Sequence, residues 1–137
     1  MRKLLNPALL AAALFVLGVG ALAADKPQTL CPVSGHPVDK SAYVDYQGQR
    51  VYFCCDKCPA KFKADPEKYF AQFAKEGVVL ESVQKSCPVS DEEINPKVYT
   101  DYKGRRVYFC CKKCIATFQE DPEKYLKKLP GLTEPSK

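Results

Sequence analysis

The sequence predicts a small α+β protein made of two tandem copies of one module, each with a cysteine-bearing turn, a β-hairpin and short helices. The eight cysteines form four pairs whose members lie 56 positions apart. Without any gap, residues 31–73 agree with residues 87–129 at 23 of 43 positions. A repeat of this kind indicates two copies of one supersecondary unit. We therefore assign module 1 to residues 31–73 and module 2 to residues 87–129.

The hairpin in each module is predicted from two β-rich runs separated by a glycine-containing turn. Residues 43–46 and 50–53 flank Gln47-Gly48, where glycine favours the tight turn of a hairpin. Lys103-Gly104 repeats this signal in module 2. Because side chains alternate along a strand, we expect Val51 and Phe53 to face one side of the hairpin and Tyr52 the other.

The helices are predicted from capping signals. A short helix is expected to begin around residues 55–58 and to carry Phe62 inward. Asp65 followed by Pro66 has the pattern of an N-cap and first helical residue, and Asp121 with Pro122 repeats it. A second helix should therefore end each module.

Three further segments are interpreted as lying outside the cores. Residues 74–86 are predicted as the linker between the modules, and residues 130–137 as a loose tail that contains proline and glycine. The basic pairs at residues 105–106 and 112–113 are interpreted as solvated edges, which keep the hairpin strands from pairing with another chain.

The N-terminus has the features of a secretory signal peptide at residues 1–23. A basic start precedes an apolar run at residues 8–22, and Ala21-Leu22-Ala23 supplies small residues for cleavage. The alternative is an uncleaved membrane anchor. We expect an exported protein, in the bacterial periplasm or secreted, with no membrane contact after the signal is cleaved.

Composition and charge exclude several classes of function. Removing 23 of 137 residues leaves 114, and loss of Arg2 and Lys3 lowers the formal charge from +5 to +3. This surplus is too small for a nucleic-acid footprint, and exported proteins seldom meet nucleic acid. The sequence has no paired-carboxylate signature, no Ser/His/Asp set and a single histidine. We therefore expect no catalysis and no nucleic-acid partner.

The cysteines point to a metal site in each module. Modules of about 45 residues usually need a disulfide, a metal or a partner for stability. Cys58 can converge with Cys54 across one helical turn, or with Cys55 in a knuckle, and Cys31 would add a third sulfur. Soft thiolates in such an arrangement suit Cu(I) or Zn(II).

Disulfide bonding and redox chemistry are the alternatives. Export favours disulfides, but three of the four cysteines in each module fall within five residues, so bonds among them would close very small loops. Only a bond from Cys31 to that cluster would be a useful cross-link. A redox role for Cys55 and Cys58 lacks the βαβ pattern of thioredoxin-like proteins. His36 is a candidate fourth metal ligand in module 1, where module 2 has Glu92.

Several coupled motifs resemble the YHS domain, part of the TRASH-like group of metal-binding domains. In module 1 they are Cys31-Pro-Val-Ser-Gly, Val51-Tyr-Phe-Cys-Cys, Cys58, Phe62 and Asp65-Pro-Glu-Lys-Tyr, and module 2 repeats them from Cys87. The resemblance implies a treble-clef-like fold and a role in heavy-metal trafficking, resistance or sensing, often of copper. The ligand set that it implies is Cys31, Cys54 and Cys58, with Cys87, Cys110 and Cys114 in module 2. Some relatives carry a further cysteine where this chain has Ser34 and Ser90.

The sequence thus predicts an exported heavy-metal-binding protein that acts in metal carriage, buffering or resistance. Each module would hold one thiophilic ion, zinc or copper(I). Cys55, Cys111 and His36 are additional candidate ligands. The expected partners are metal ions and a metal transporter or another exported protein. The alternative is a disulfide-stabilised exported adaptor or redox module with no metal.

Overall fold

A knuckle turn, a β-hairpin and two short helices follow one another in each half of the chain. The computed structural model describes residues 25–132, so the predicted signal peptide and residues 133–137 lie outside the described residues. The small α+β fold with two repeated modules is confirmed. The elements are β1 (Lys26–Pro27), β2 (Asp39–Tyr46), β3 (Gln49–Phe53), α1 (Cys58–Ala64), α2 (Pro66–Glu76), β4 (Val78–Val79), β5 (Glu81–Ser82), β6 (Asn95–Tyr102), β7 (Arg105–Phe109), α3 (Lys112–Glu120) and α4 (Pro122–Leu126).

The strands form three small sheets. β2, β3 and β5 form an antiparallel sheet, β6 and β7 form a hairpin, and β1 pairs with β4 in parallel. Between residues 25 and 132, no helix combines the length and the apolar character that crossing a membrane requires.

Both hairpin turns have the predicted conformation. Gln47 and Gly48 have φ angles of 44° and 78°, and Lys103 and Gly104 have φ angles of 46° and 80°. Two consecutive positive φ angles define the type I′ turn, whose twist matches that of the flanking strands. The predicted alternation along β3 is confirmed as well. Gln49, Val51 and Phe53 are buried, whereas Arg50 and Tyr52 between them are half-buried.

The helix caps are also confirmed. The Asp65 side chain accepts a hydrogen bond from the backbone N–H of Lys68 at the start of α2, and Asp121 accepts one from Lys124 at the start of α4. Each side chain satisfies one of the free N–H groups at a helix start. These helices therefore begin at the prolines that follow the two aspartates.

Each module has its own aromatic core. The Phe62 ring is fully buried and lies 5.5–5.8 Å, between ring centroids, from four other rings: Tyr46, Phe53, Tyr69 and Phe70. Phe118 has the same place in module 2, where its neighbours are Tyr102, Phe109 and Tyr125 at 5.3–6.3 Å. These cores pack the hairpin against the helices, and they fix the ends of both elements near the cysteines.

The segment 74–86, predicted only as a linker, also contributes structure to module 1. It holds the last turn of α2 and strands β4 and β5, and Leu80 within it is buried in the first core. β5 extends the first hairpin, with Ser82 opposite Gln49. Leu80 and Val78 pack in the core of module 1 because burial removes their apolar surface from water.

The tail was predicted to be loose, but residues 130–132 bond to the hairpin turn of module 1. The N–H of Gln47 donates to the carbonyl of Leu132 at 2.9 Å, and the N–H of Gly48 donates to the carbonyl of Pro130 at 2.8 Å. The N–H of Leu132 donates in turn to the carbonyl of Asp45 at 2.9 Å. The turn thus finds partners for its outward-facing backbone groups.

Arg105 lies between the two modules, and its interpretation as a solvated edge was wrong. Its side chain is 0% exposed. The guanidinium lies 4.0 Å above the Phe70 ring of module 1 and forms an ion pair with Glu67. Gln49, the equivalent residue of module 1, donates its side-chain amide to the backbone carbonyl of Arg106 at 2.8 Å. Each module therefore inserts the first residue of its second hairpin strand into the interface with the other module.

Candidate metal centre

Three cysteine sulfurs meet in each module. Cys31 belongs to the knuckle turn, Cys54 follows the last residue of β3, and Cys58 is the first residue of α1. Their Sγ atoms all lie within 4.8 Å of one another. The Sγ atoms of Cys54 and Cys58 are 3.7 Å apart. The hairpin end and the helix start thus supply two adjacent sulfurs, and the knuckle brings the third from more than twenty residues away.

Module 2 repeats this arrangement with Cys87, Cys110 and Cys114, whose Sγ atoms also lie within 4.8 Å of one another. The Sγ atoms of Cys110 and Cys114 are 3.6 Å apart. The six cysteines of the ligand set that the family resemblance implies therefore meet in two groups of three, one in each module. Metal ligation by these residues stays a prediction.

The knuckle that carries Cys31 is held by its own backbone. The N–H of Cys31 donates to the carbonyl of His36 at 2.7 Å, and the N–H of Gly35 donates to the carbonyl of Cys31 at 2.8 Å. Gly35 has a φ of 74°, as its predicted role in the turn requires. Module 2 keeps this geometry with Asp91 at a φ of 60°, since aspartate tolerates the left-handed region better than most residues.

Burial and hydrogen bonding give the thiols within one site different pKa values. Burial is the largest influence on the pKa of Cys31 and raises it. Hydrogen bonds from the Ser34 side chain and from the backbone together outweigh this effect and lower the pKa to about 7. Burial, reinforced by contacts with the neighbouring thiols, raises the pKa of Cys58 to about 12. Burial therefore favours the protonated form of the Cys58 thiol at neutral pH.

Serine hydroxyls contact the half-buried sulfur in each site. The Oγ of Ser34 lies 3.1 Å from the Sγ of Cys54, and the Oγ of Ser90 lies 3.2 Å from the Sγ of Cys110. A hydroxyl can donate a hydrogen bond to a thiolate and stabilise its charge. At the position where some relatives carry a fourth cysteine, this chain thus supplies a hydrogen-bonding group beside the sulfurs.

Three further candidate ligands lie outside the groups of converging ligand atoms found among residues 25–132. His36 is exposed and holds the knuckle through its backbone. Cys55 and Cys111 are also exposed, although their Sγ atoms lie 3.6 and 3.7 Å from those of Cys58 and Cys114. All eight cysteines lie among the described residues and are free thiols there.

Two glutamines that the sequence analysis missed fix the strands leading to the sites. The side-chain amide of Gln84 donates to the carbonyl of Tyr108 at 2.6 Å and accepts from its N–H at 3.0 Å. Gln28 makes the same pair of bonds with Tyr52, at 2.7 and 2.9 Å. Each side-chain amide forms the pair of backbone hydrogen bonds that a neighbouring strand would form. Its partner is a tyrosine that lies two residues before a cysteine. The signal was available, because the two glutamines are themselves 56 positions apart.

We predict that Gln84→Ala destabilises module 2 by about 1–3 kcal/mol, because it leaves buried backbone groups of β7 without partners. Gln84 is 6% exposed, whereas Gln28 is only half-buried. Water can therefore replace the lost bonds more readily in Gln28→Ala, which serves as the matched control with a smaller loss. Urea unfolding of both variants measures the difference, and equal losses would contradict this account.

Three converging thiols make a donor set suited to a soft cation. Thiolates select Cu(I), Zn(II) and related thiophilic ions, whereas Mg²⁺ and Ca²⁺ prefer oxygen ligands. Two of the three sulfurs in each site are buried, and the third is half-buried. The residues present therefore fit one thiophilic ion per module.

The family model of the YHS domain matches residues 31–72 and again residues 88–128. This chain belongs to the YHS domain family. The first match contains Cys31, Cys54 and Cys58, and the second contains Cys110 and Cys114 and begins one residue after Cys87. The tandem YHS arrangement expected from the sequence motifs is thus confirmed.

One curated relative of this chain is a metal transporter. The chain is similar to the silver exporting P-type ATPase of Salmonella typhimurium, with 28% identity over 81 residues, which is 53% of this chain. The match spans only 10% of the relative's length. No solved structure matches this chain.

Proposed function

We propose that each YHS module binds one thiophilic metal ion through its three converging cysteines, and that the protein carries, buffers or detoxifies such ions outside the cytoplasm. The observation that carries this proposal is the meeting of three Sγ atoms within 4.8 Å in both modules. Heavy-metal binding is the property that the family membership and the thiol clusters support together. The proposed role is binding and transfer, not catalysis.

A monovalent soft ion, Cu(I) or Ag(I), is the proposed cargo in preference to Zn(II). Structural zinc sites are almost always four-coordinate. The groups of ligand atoms that converge between residues 25 and 132 contain only three cysteines each. Cu(I) favours soft thiolate ligands and does not require the tetrahedral set of zinc. The silver exporter named among the relatives supports the same class of ion.

Export and a transporter partner complete the proposal. The sequence of residues 1–23 supports export by its basic start, apolar run and small residues at the cleavage site. The similarity to a segment of a metal-exporting ATPase supports a membrane transporter as donor or acceptor of the ion.

Native mass spectrometry of the mature chain, purified from the periplasm of cells grown with added copper, tests the proposal. We expect two ions per chain and recovery of eight free thiols after denaturation. A mass lowered by disulfide formation, with no bound ion, would contradict metal binding and support the disulfide-stabilised adaptor.

A further inference from the structure

Each module has four cysteines, and one of them is not part of the three-sulfur site. Cys55 is exposed, yet its Sγ lies as close to the Sγ of Cys58, at 3.6 Å, as that of the ligand Cys54 does at 3.7 Å. Cys58 therefore has two neighbouring sulfurs, the half-buried one of Cys54 and the exposed one of Cys55. The sulfurs form a continuous path from the interior to solvent.

The position of the exposed cysteine is fixed by the turn that begins the helix. The N–H of Cys58 donates to the carbonyl of Cys55 at 3.3 Å. In module 2 the N–H of Cys114 donates to the carbonyl of Cys111 at 3.2 Å, and the two Sγ atoms are 3.7 Å apart. The neighbouring residues have changed from Asp56 to Lys112, but the geometry of the exposed sulfur is the same in both modules.

We propose that Cys55 and Cys111 are exchange ligands, through which the metal ion enters and leaves each buried three-sulfur site. This inference rests on the proposed metal-binding function and adds a route for transfer. The exposed sulfur of Cys55 is more accessible to a partner molecule than the half-buried Cys54, and Cys31 and Cys58 are 2% and 6% exposed. Cys55 therefore offers an acceptor a contact at the surface that the buried thiols do not.

The transfer step is ligand exchange without any change of oxidation state. During release, Cys55 gives up its thiol proton to water and its Sγ bonds to the ion while the bond to the Sγ of Cys31 breaks, and Cys54 and Cys58 keep their bonds. The acceptor's ligand then binds the ion at the surface, and the bonds to Cys54, Cys55 and Cys58 break. The freed thiolates take up protons from water. Uptake is the same sequence in reverse.

The test compares Cys55→Ser, Cys111→Ser and the double variant with the unchanged protein, each loaded with Cu(I). Bathocuproine disulfonate, whose Cu(I) complex is coloured, serves as acceptor in a stopped-flow measurement. We expect the double variant to keep two ions and an equilibrium affinity within about threefold, and to release copper at least tenfold more slowly. In each single variant, half of the copper should be released more slowly and the other half at the unchanged rate. The unchanged module of each variant thus serves as an internal control.

The double variant Asp56→Ser/Lys112→Ser is the matched surface control, because it changes the next residue of each module without removing a sulfur. It should release copper at the unchanged rate. Release from the double cysteine variant at the unchanged rate would overturn the exchange role. A loss of affinity beyond tenfold would overturn it too, because it would make Cys55 and Cys111 permanent ligands. If the unchanged protein binds no copper, the proposed metal-binding function itself fails, which is a distinguishable result.

Discussion

Cys58→Ser should empty the metal site of module 1 and lower the metal content from two ions per chain to one. Cys58 is buried and lies within 4.8 Å of both other sulfurs, so its loss leaves the site with only two of its three thiols. Cys114→Ser should have the same effect in module 2, and the double variant should bind none. Metal analysis of the purified proteins measures the content.

Loss of the ion should also destabilise the module. Structural Zn(II) in small zinc fingers contributes on the order of 10 kcal/mol of folding free energy at neutral pH, and a soft ion held by three thiolates should stabilise a module in the same direction. The cores are small, with Phe62 and Phe118 at their centres, and they adjoin the sulfurs directly. We therefore expect Cys58→Ser to lose the near-UV tyrosine dichroism of module 1, and a strong chelator to have this effect on both modules of the unchanged protein.

Cys55→Ser is the control for this experiment, since it removes an exposed sulfur of the same module and should keep both ions at equilibrium. Two ions bound to the Cys58→Ser variant would contradict the three-sulfur site. Unchanged dichroism after complete removal of metal would show that the ions do not stabilise the fold.

Gly104→Ala should be the most destabilising substitution at a hairpin turn. A Cβ at this position would lie 2.1 Å from the carbonyl oxygen of Phe70, which belongs to α2 of the other module. The left-handed conformation itself costs a non-glycine residue about 1–2 kcal/mol. Forcing the two backbones apart adds about 1–3 kcal/mol. We expect a loss of roughly 2–5 kcal/mol in total from these two effects.

Gly48→Ala is the matched control, because Gly48 has the same turn position and a φ of 78°. The nearest atom to its Cβ would be Cδ1 of Leu129 at 3.4 Å, an ordinary contact with a side chain. Only the conformational cost of about 1–2 kcal/mol should appear. Urea unfolding of the metal-loaded proteins measures both values, and equal losses would contradict the packing of Gly104 against α2.

The parts of the fold that were predicted correctly depend on short stretches of sequence. The turn at Gln47-Gly48 and the cap at Asp65 are determined by the backbone preferences of neighbouring residues. The approach of Cys54 and Cys58 likewise depends on the short turn between β3 and α1, where their Sγ atoms lie 3.7 Å apart. Cys31 comes to the site from a distant segment of the chain. Its place there was predicted from the repeated motifs and the family that they resemble.

The parts that were missed depend on how the modules pack. Arginine is seldom fully buried, so nothing local to Arg105 indicates that Phe70 and Glu67 of the other module enclose it. Gln84 lies in a segment without a helical or strand pattern, and its role arises only when β7 is beside it. The bonds of residues 130–132 were missed for the same reason, because the partners of Leu132 belong to module 1.

X-ray absorption spectroscopy of the Cu(I)-loaded protein tests the three-sulfur site most directly. The account predicts a first shell of three sulfur atoms around each copper, at two ions per chain, with no nitrogen or oxygen ligand. A shell dominated by nitrogen or oxygen, or by two sulfurs only, would contradict the convergence of Cys31, Cys54 and Cys58 on one ion.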